Sequence, residues 1–324
     1  MVFIKNKKRK ASEFQFFIHQ FIEACIKNGI TSKKEYKLNI GIQLLLQFFR
    51  CVKLIKLLAS SHNKDAIIIA CRGENLLEAS FPYYNHEIIP MLWDVWPYTW
   101  RDLYRNLREL NCKICFVTVR QMATKIENEL GIKCYWIPEG IDMSDYTKGN
   151  DLKERIIYVY ELGRQHKEYH KIIKDSLNKN IIKSYKGNIY NDDGTLQSLA
   201  FSTAEELISG LPSIKVIICF PQTDTHPERA GSLETLTQRY WEAMLSRCLI
   251  IGRAPQELID LVGYNPVIDV NWNNPMQQLY EILVNIDAYQ EIVNKNYLSA
   301  LKYASWDKRT LLIKNILKEN NYSI

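Results

Sequence analysis

Short apolar runs of three to six residues, most of them followed by a stretch with helical spacing, recur along most of this 324-residue chain. The runs are Asp65-Ala-Ile-Ile-Ile-Ala70, Glu87–Leu92, Cys115–Val119 and Cys134–Ile137. A second set follows at Arg155–Tyr160, Ile181–Tyr185, Lys215–Phe220, Leu249–Ile251 and Val267–Val270. Runs without polar alternation read as strands buried on both faces, which pair in parallel. Helices expected at Trp100–Asn111, Gln121–Leu130, Lys167–Leu177 and Thr203–Ser209, from Pro275 and Tyr289, and at Trp306–Lys318 alternate with them, which is the doubly wound α/β pattern. Ligands of such folds sit at the carboxyl ends of the strands.

Two sets of strands imply two domains, and the polar stretch Tyr146–Glu154 is the expected linker. The boundaries are drawn at residues 1–146, 147–300 and 301–324, the last a helix expected to return to the first domain. The first 60 residues depart from the alternation. Phe17, Ile18, Phe21, Ile22 and Cys25 recur at helical spacing, as do Leu44, Leu45, Phe48, Val52, Ile55 and Leu58, so helices over 12–28 and 38–59 are expected there.

Charge is also uneven. The net +6 divides into twelve Lys or Arg against three Glu in the first 60 residues, a balance of +9, and −3 over the rest. Arg50, Lys53 and Lys56 interrupt the one long apolar stretch, so no spanning helix is expected. The N-terminus does not read as a signal peptide, and a cytoplasmic protein is expected. The helix over 38–59 has two readings, packing in a core or lying on an anionic membrane surface. The eight cysteines sit mostly in apolar runs and read as structural thiols. Basic helices can bind nucleic acid, but no nucleic-acid motif is present.

Chemistry concentrates between Val216 and Gly252. Glu234 and Glu242 stand eight residues apart, roughly 12 Å along a continuous helix, with Gly231 and Ser232 before them. Ser232 reads as an N-cap whose neighbouring N–H groups suit an anion. The stretch resembles the nucleotide-sugar site of the retaining glycosyltransferases of GT-B fold, the group-1 or family 4 set. The parts that carry the resemblance are Glu234, Glu242-Ala243-Met244, the strand Cys248–Ile251, and Pro255 with Glu257. Further parts are Ile137-Pro-Glu-Gly-Ile-Asp142, the strand Tyr158–Leu162 with Gly163-Arg164, and Ser305-Trp306. Thr237 replaces the family's usual glycine, and Leu245-Ser246-Arg247 departs from its small-residue pattern.

The resemblance implies two Rossmann-like domains facing each other across a cleft. It implies a donor site built from Gly163, Arg164, Lys167, Ser232, Glu234, Thr235, Leu236, Thr237 and Glu242. Glu234 meets the donor sugar, Glu242 the ribose hydroxyls, and Arg164 and Lys167 the diphosphate. Asp94, between two tryptophans, takes a catalytic role toward sugar or acceptor, with His86 as the alternative on the same side. The implied activity is transfer of a sugar from a UDP- or GDP-sugar to a glycan or lipid-linked hydroxyl with retention. No cofactor is implied beyond the donor. No Asp-x-Asp motif occurs, so no metal is required by the sequence, and His166 and His170 read as surface histidines. Two alternatives stand beside this, a nucleotide-sugar 2-epimerase of the same fold and a catalytically silent binding module.

Overall fold

The computed structural model describes residues 1–6, 17–36, 38–60, 65–191 and 195–324. The chain divides into two compact units, the first made of Met1–Glu139, Arg229–Leu233 and Trp306–Ile324, the second of Gly140–Glu228 and Glu234–Ser305.

In the first unit the strands β1 (Val2–Asn6), β2 (Thr31–Lys34), β3 (Ala66–Arg72), β4 (Glu87–Trp93), β5 (Ile114–Val117) and β6 (Lys133–Trp136) form one parallel sheet in the order β2-β1-β3-β4-β5-β6. Helices α1 (Phe17–Lys27), α2 (Ile40–Cys51), α3 (Leu54–Ser60), α4 (Leu76–Ser80), α5 (Trp100–Glu109) and α6 (Arg120–Leu130) connect the strands. β3 shows why the apolar runs are continuous: Ile67, Ile69 and Cys71 enter one core cluster while Ala66 and Ile68 enter another. Both faces of the sheet are covered, as parallel pairing requires.

The first 60 residues contain strands where the sequence reading expects helices alone. β1 has only three apolar residues before Lys5, and β2 has none, so neither carries a strand period of its own. β1 is specified by its partner: it pairs with β3 from Val2 to Ile4, and Lys5 folds back to donate to the Phe81 carbonyl at 2.7 Å. The expected helix over 38–59 is two helices, broken at Val52-Lys53, where Lys53 takes φ 56°. The start of the helix expected over 12–28 and the turn at Asp192-Asp193-Gly194 lie outside the described residues.

The second unit holds β7 (Ile157–Glu161), β8 (Tyr185–Gly187), the antiparallel hairpin β9 (Ile189–Tyr190) and β10 (Leu196–Ser198), β11 (Ile214–Cys219), β12 (Leu249–Gly252) and β13 (Ile268–Asp269). All but the hairpin form a parallel sheet in the order β13-β12-β11-β7-β8. Its helices are α7 (Lys167–Asn178), α8 (Ala204–Gly210), α9 (Gln222–Thr225), α10 (Pro227–Ala230), α11 (Gln238–Leu245), α12 (Gln256–Val262), α13 (Pro275–Val284) and α14 (Gln290–Tyr303), of which the end of α10 is counted with the first unit. The stretch Tyr146–Glu154 is fastened to this unit. Arg155, 4% exposed, donates to the carbonyls of Lys148, Asn150 and Ile214, and Arg247 pairs with Asp151 at 2.7 Å. These arginines satisfy a polar loop that would otherwise hang free.

The last helix, α15 (Trp306–Glu319), packs in the first unit. Trp306 meets Phe21 and Trp93 edge-on, with ring centroids 5.3 and 5.8 Å away, and Arg309 donates to the Pro138 carbonyl at 3.0 Å.

Candidate functional site

Parallel strands collect their loops at the carboxyl end, and in the second unit the ends of β7, β11 and β12 carry most of the residues singled out from sequence. β7 ends at Glu161 and is followed by Leu162, Gly163 and Arg164. Gly163 takes φ +76°, and a Cβ there would stand 3.4 Å from the Arg239 Cδ. Glycine therefore serves both the backbone turn and the approach of Arg239. The Arg239 guanidinium donates to the Leu162 carbonyl at 3.0 Å through Nη1, while its Nη2 is buried without a protein partner.

Glu242 lies three residues beyond Arg239 on α11, one turn on and on the same face. It is 5% exposed and accepts from the Tyr146 hydroxyl at 3.2 Å. Burial pushes its carboxyl up to about 7, opposed by the Tyr146 hydrogen bond and the attraction of Arg239. A buried carboxylate with one hydrogen bond and an arginine on its face has the capacity to accept further hydrogen bonds. Arg164 is half-buried, and Lys167, the first residue of α7, is exposed.

Glu234 belongs to a different cluster. Its Oε1 takes Arg253 Nη1 and its Oε2 takes the Gln256 N–H at 3.1 Å. Arg253 also binds Asp224 through Nε and Nη2, each at 2.6 Å, and Thr223 at 2.9 Å. These bonds, the Asp224 pair first, raise the guanidinium further above its usual range. Both oxygens of Glu234 are thus held before any ligand arrives.

The two glutamates do not share a helix. α11 begins at Gln238, with Thr237 at the N-cap position in extended conformation (φ −116°, ψ 158°) and no side-chain bond to the helix. Glu257 takes the Leu236 N–H at 2.8 Å, and Leu233 and Leu236 are buried, which holds Glu234–Thr237 out of the helix. Ser232 is correspondingly no N-cap. It is exposed, follows Gly231 at φ +55°, and belongs with the first unit. Thr235 is 8% exposed, and the Thr237 hydroxyl oxygen is buried without a partner.

In the first unit Asp94 follows β4 in left-handed backbone, φ 52°, and pairs with Arg72 Nε at 3.0 Å. A non-glycine residue held at positive φ is uncommon and clusters at functional loops. His86 precedes β4, so a seven-residue strand separates it from Asp94 and it stands at the opposite end of the sheet. It cannot replace Asp94. His166 is the N-cap of α7, and His170 pairs with Glu161 at 2.6 Å, so neither is a free surface histidine. Among the described residues no group of three or more His, Cys, Asp or Glu is arranged to hold a metal ion.

Arg239, Arg253 and Tyr146 were not evident from sequence as site residues. Arg239 had a usable signal, a cation three residues before Glu242. Arg253 stands directly after β12, at the carboxyl end where ligands gather. Tyr146 had none, because its role depends on the fastening of its loop.

No protein-family model matches the sequence, and no curated protein matches it. The fold has relatives among solved structures. HepE of Anabaena, in complex with UDP and glucose, superposes with a TM-score of 0.65 at 12% identity over 98% of this chain and 100% of that one. Sucrose-phosphate synthase of Thermosynechococcus elongatus gives 0.61 at 10% identity over 98% of each chain. TarM, known from S. aureus, gives 0.53 at 11% identity over 83% of this chain, which spans 57% of its length. These neighbours are GT-B glycosyltransferases, and the two parallel α/β units have the GT-B fold.

Proposed function

We propose that the protein transfers a sugar from a nucleotide-diphosphate donor to a hydroxyl of a glycan or lipid-linked acceptor, with retention of anomeric configuration. The observation that carries this reading is the cluster at the ends of β7 and β11, where Gly163, Arg164 and Arg239 lie together with the buried carboxyl of Glu242. The fold neighbours, one of them bound to UDP and glucose, support it.

In this reading Glu242 accepts the ribose hydroxyls, and Arg164, Lys167 and Arg239 meet the diphosphate, whose charge grows as the glycosidic bond breaks. These side chains take the place of a divalent ion. Glu234, oriented by Arg253 and Gln256, takes a donor-sugar hydroxyl, with Thr235, Leu236 and Thr237 lining its loop. The bond from the anomeric carbon to the diphosphate oxygen breaks, the acceptor oxygen bonds to the same face, and the acceptor proton passes to the departing diphosphate. Asp94 serves acceptor hydroxyls on the first unit.

Location belongs to the same reading. No helix among the described residues is long and apolar enough to cross a membrane. α2 nevertheless leaves Ile40, Leu44, Phe48 and Val52 exposed at four-residue spacing, 77, 60, 59 and 52%, with Lys53 and Lys56 exposed beyond them. We place the protein in the cytoplasm, on the inner face of a membrane, through this stripe.

Calorimetric titration with UDP, GDP and their sugar conjugates tests the assignment, with hydrolysis-corrected transfer to added glycan acceptors as the second readout. Binding of neither nucleotide by the folded protein would overturn it. Binding with interconversion of the donor sugar and no transfer would point to the epimerase.

A further inference from the structure

β7 ends on a carboxyl that is 1% exposed, that of Glu161. Two residues after Val159, it stands on the same face of the sheet, where Val159 packs with Tyr169, Ile173 and Val216 in an apolar cluster.

Both of its bonds converge on one oxygen. Oε2 accepts from the Tyr185 hydroxyl and from His170 Nδ1, each at 2.6 Å. A carboxylate only accepts, which places the Nδ1 proton on His170. Oε1 is buried and has no protein partner among the described residues. A carboxylate held this way costs stability rather than adding it, because an apolar residue of similar volume would fill the space with no charge to desolvate. What it supplies is direction, and Tyr185 is the group it directs.

Tyr185 reaches Glu161 because Gly187 lets it pass. Gly187 pairs with Glu161 in the β7–β8 ladder, and a Cβ there would overlap the Tyr185 hydroxyl. That hydroxyl also accepts from Gln165 Nε2 at 3.4 Å, and the same amide donates to the Asn188 carbonyl at 2.9 Å. Gln165 directly follows Arg164. On the other side of Arg164, the Gly163 carbonyl accepts from the Tyr190 hydroxyl at 3.4 Å and the Leu162 carbonyl from Arg239 at 3.0 Å. His170 adds a tie to α7, three residues past Lys167. The turn that carries Arg164 is therefore pinned before and after it, and Glu161 is the buried end of the chain of bonds that pins it from behind. All of these residues belong to the second unit.

We infer that Glu161 is a positioning residue for the donor diphosphate: through Tyr185 and Gln165 it fixes the turn over residues 162–166, so that Arg164 is in place before the ligand arrives. Ordering the turn in advance removes part of the cost of binding. Glu161 itself touches no substrate. This role rests on the phosphate contact proposed for Arg164 and adds the group that sets it.

Calorimetry with UDP and GDP against their nucleosides, and amide hydrogen exchange over residues 162–166, test it in the full chain. Glu161→Leu and Tyr185→Phe should each weaken the diphosphate about tenfold and the nucleoside less than about twofold. Glu161→Gln, which keeps a carbonyl acceptor for Tyr185, should stay within about threefold of the parent. The double variant Glu161→Leu/Tyr185→Phe should lose no more than the weaker single, since both act on one link. Exchange at amides 163–166 should quicken about tenfold in Glu161→Leu while the α11 amides stay as they are. Circular dichroism checks the fold, and Tyr185→Phe carries the test should Glu161→Leu not fold. Equal losses for diphosphate and nucleoside, no recovery in Glu161→Gln, unchanged exchange in the turn, or losses that multiply in the double variant would overturn the positioning role and leave the proposed function standing. A parent chain that binds neither diphosphate would overturn the proposed function, and the positioning role with it.

Discussion

Glu242 is buried and ionisable, and its titration has a definite sign. The folded carboxyl is raised to about 7 from 4.5, so the native state binds the proton more tightly than the unfolded chain. The stabilising contribution is complete below about pH 4.5 and is lost as pH rises through about 7, a change of about 3 kcal/mol. Urea unfolding of Glu242→Gln should lack this component, so the wild type loses about 3 kcal/mol relative to the variant between acid and alkaline pH. Parallel curves would refute the shift. If ribose hydroxyls donate to this group, nucleotide affinity should rise above pH 7 as the carboxylate forms, and Glu242→Ala should weaken it by about 1–3 kcal/mol. Arg164→Ala and Arg239→Ala should each weaken diphosphates more than the nucleoside. Equal losses in calorimetry would remove both from a phosphate role.

Elements supply the frame for these residues, and two can be tested directly. β12 ends at Gly252, φ 144°, where a Cβ would fall 2.0 Å from the Cys219 carbonyl oxygen of β11. Backbone cannot yield there, so Gly252→Ala should destabilise the protein by more than about 3 kcal/mol. An unchanged melting temperature would contradict the close approach of the two strands. α2 illustrates a different partition. Leu46 is buried and Arg50 pairs with Glu109 at 2.9 Å, so one side of the helix is core, while the Ile40–Val52 stripe faces out. The core reading describes the buried side, and membrane contact is the proposal for the exposed one. Co-flotation with anionic vesicles at low salt should be lost in Leu44→Ser/Phe48→Ser with stability retained, because exposed positions contribute little to folding. Failure of the wild type to float would return the stripe to an unpartnered surface.

For the whole molecule, the retaining proposal predicts an α-linked product from an α-linked donor. NMR coupling at the anomeric proton, read before mutarotation, decides it, and a β-linkage would sink the assignment. Asp94→Asn should lower activity less than Arg164→Ala. The alternation of apolar runs and helices was legible in sequence because each strand is covered on both faces, as Ile67 and Ile68 entering opposite cores show. Gly163, Arg164 and Glu242 were singled out through the resemblance, and the structure sets Gly163 and Arg164 just after β7 and Glu242 on α11. Local pattern could not place β1, whose strand character comes from pairing with β3, or β2, which pairs with β1, nor the late start of α11 at Gln238, which the Glu257 bond to the Leu236 N–H enforces. Nor could it couple Arg253 to Glu234 or Tyr146 to Glu242, 19 and 96 residues apart. Periodicity is a property of neighbours in the chain and is written in the sequence, whereas hydrogen bonds between distant side chains exist only once the chain has closed on itself.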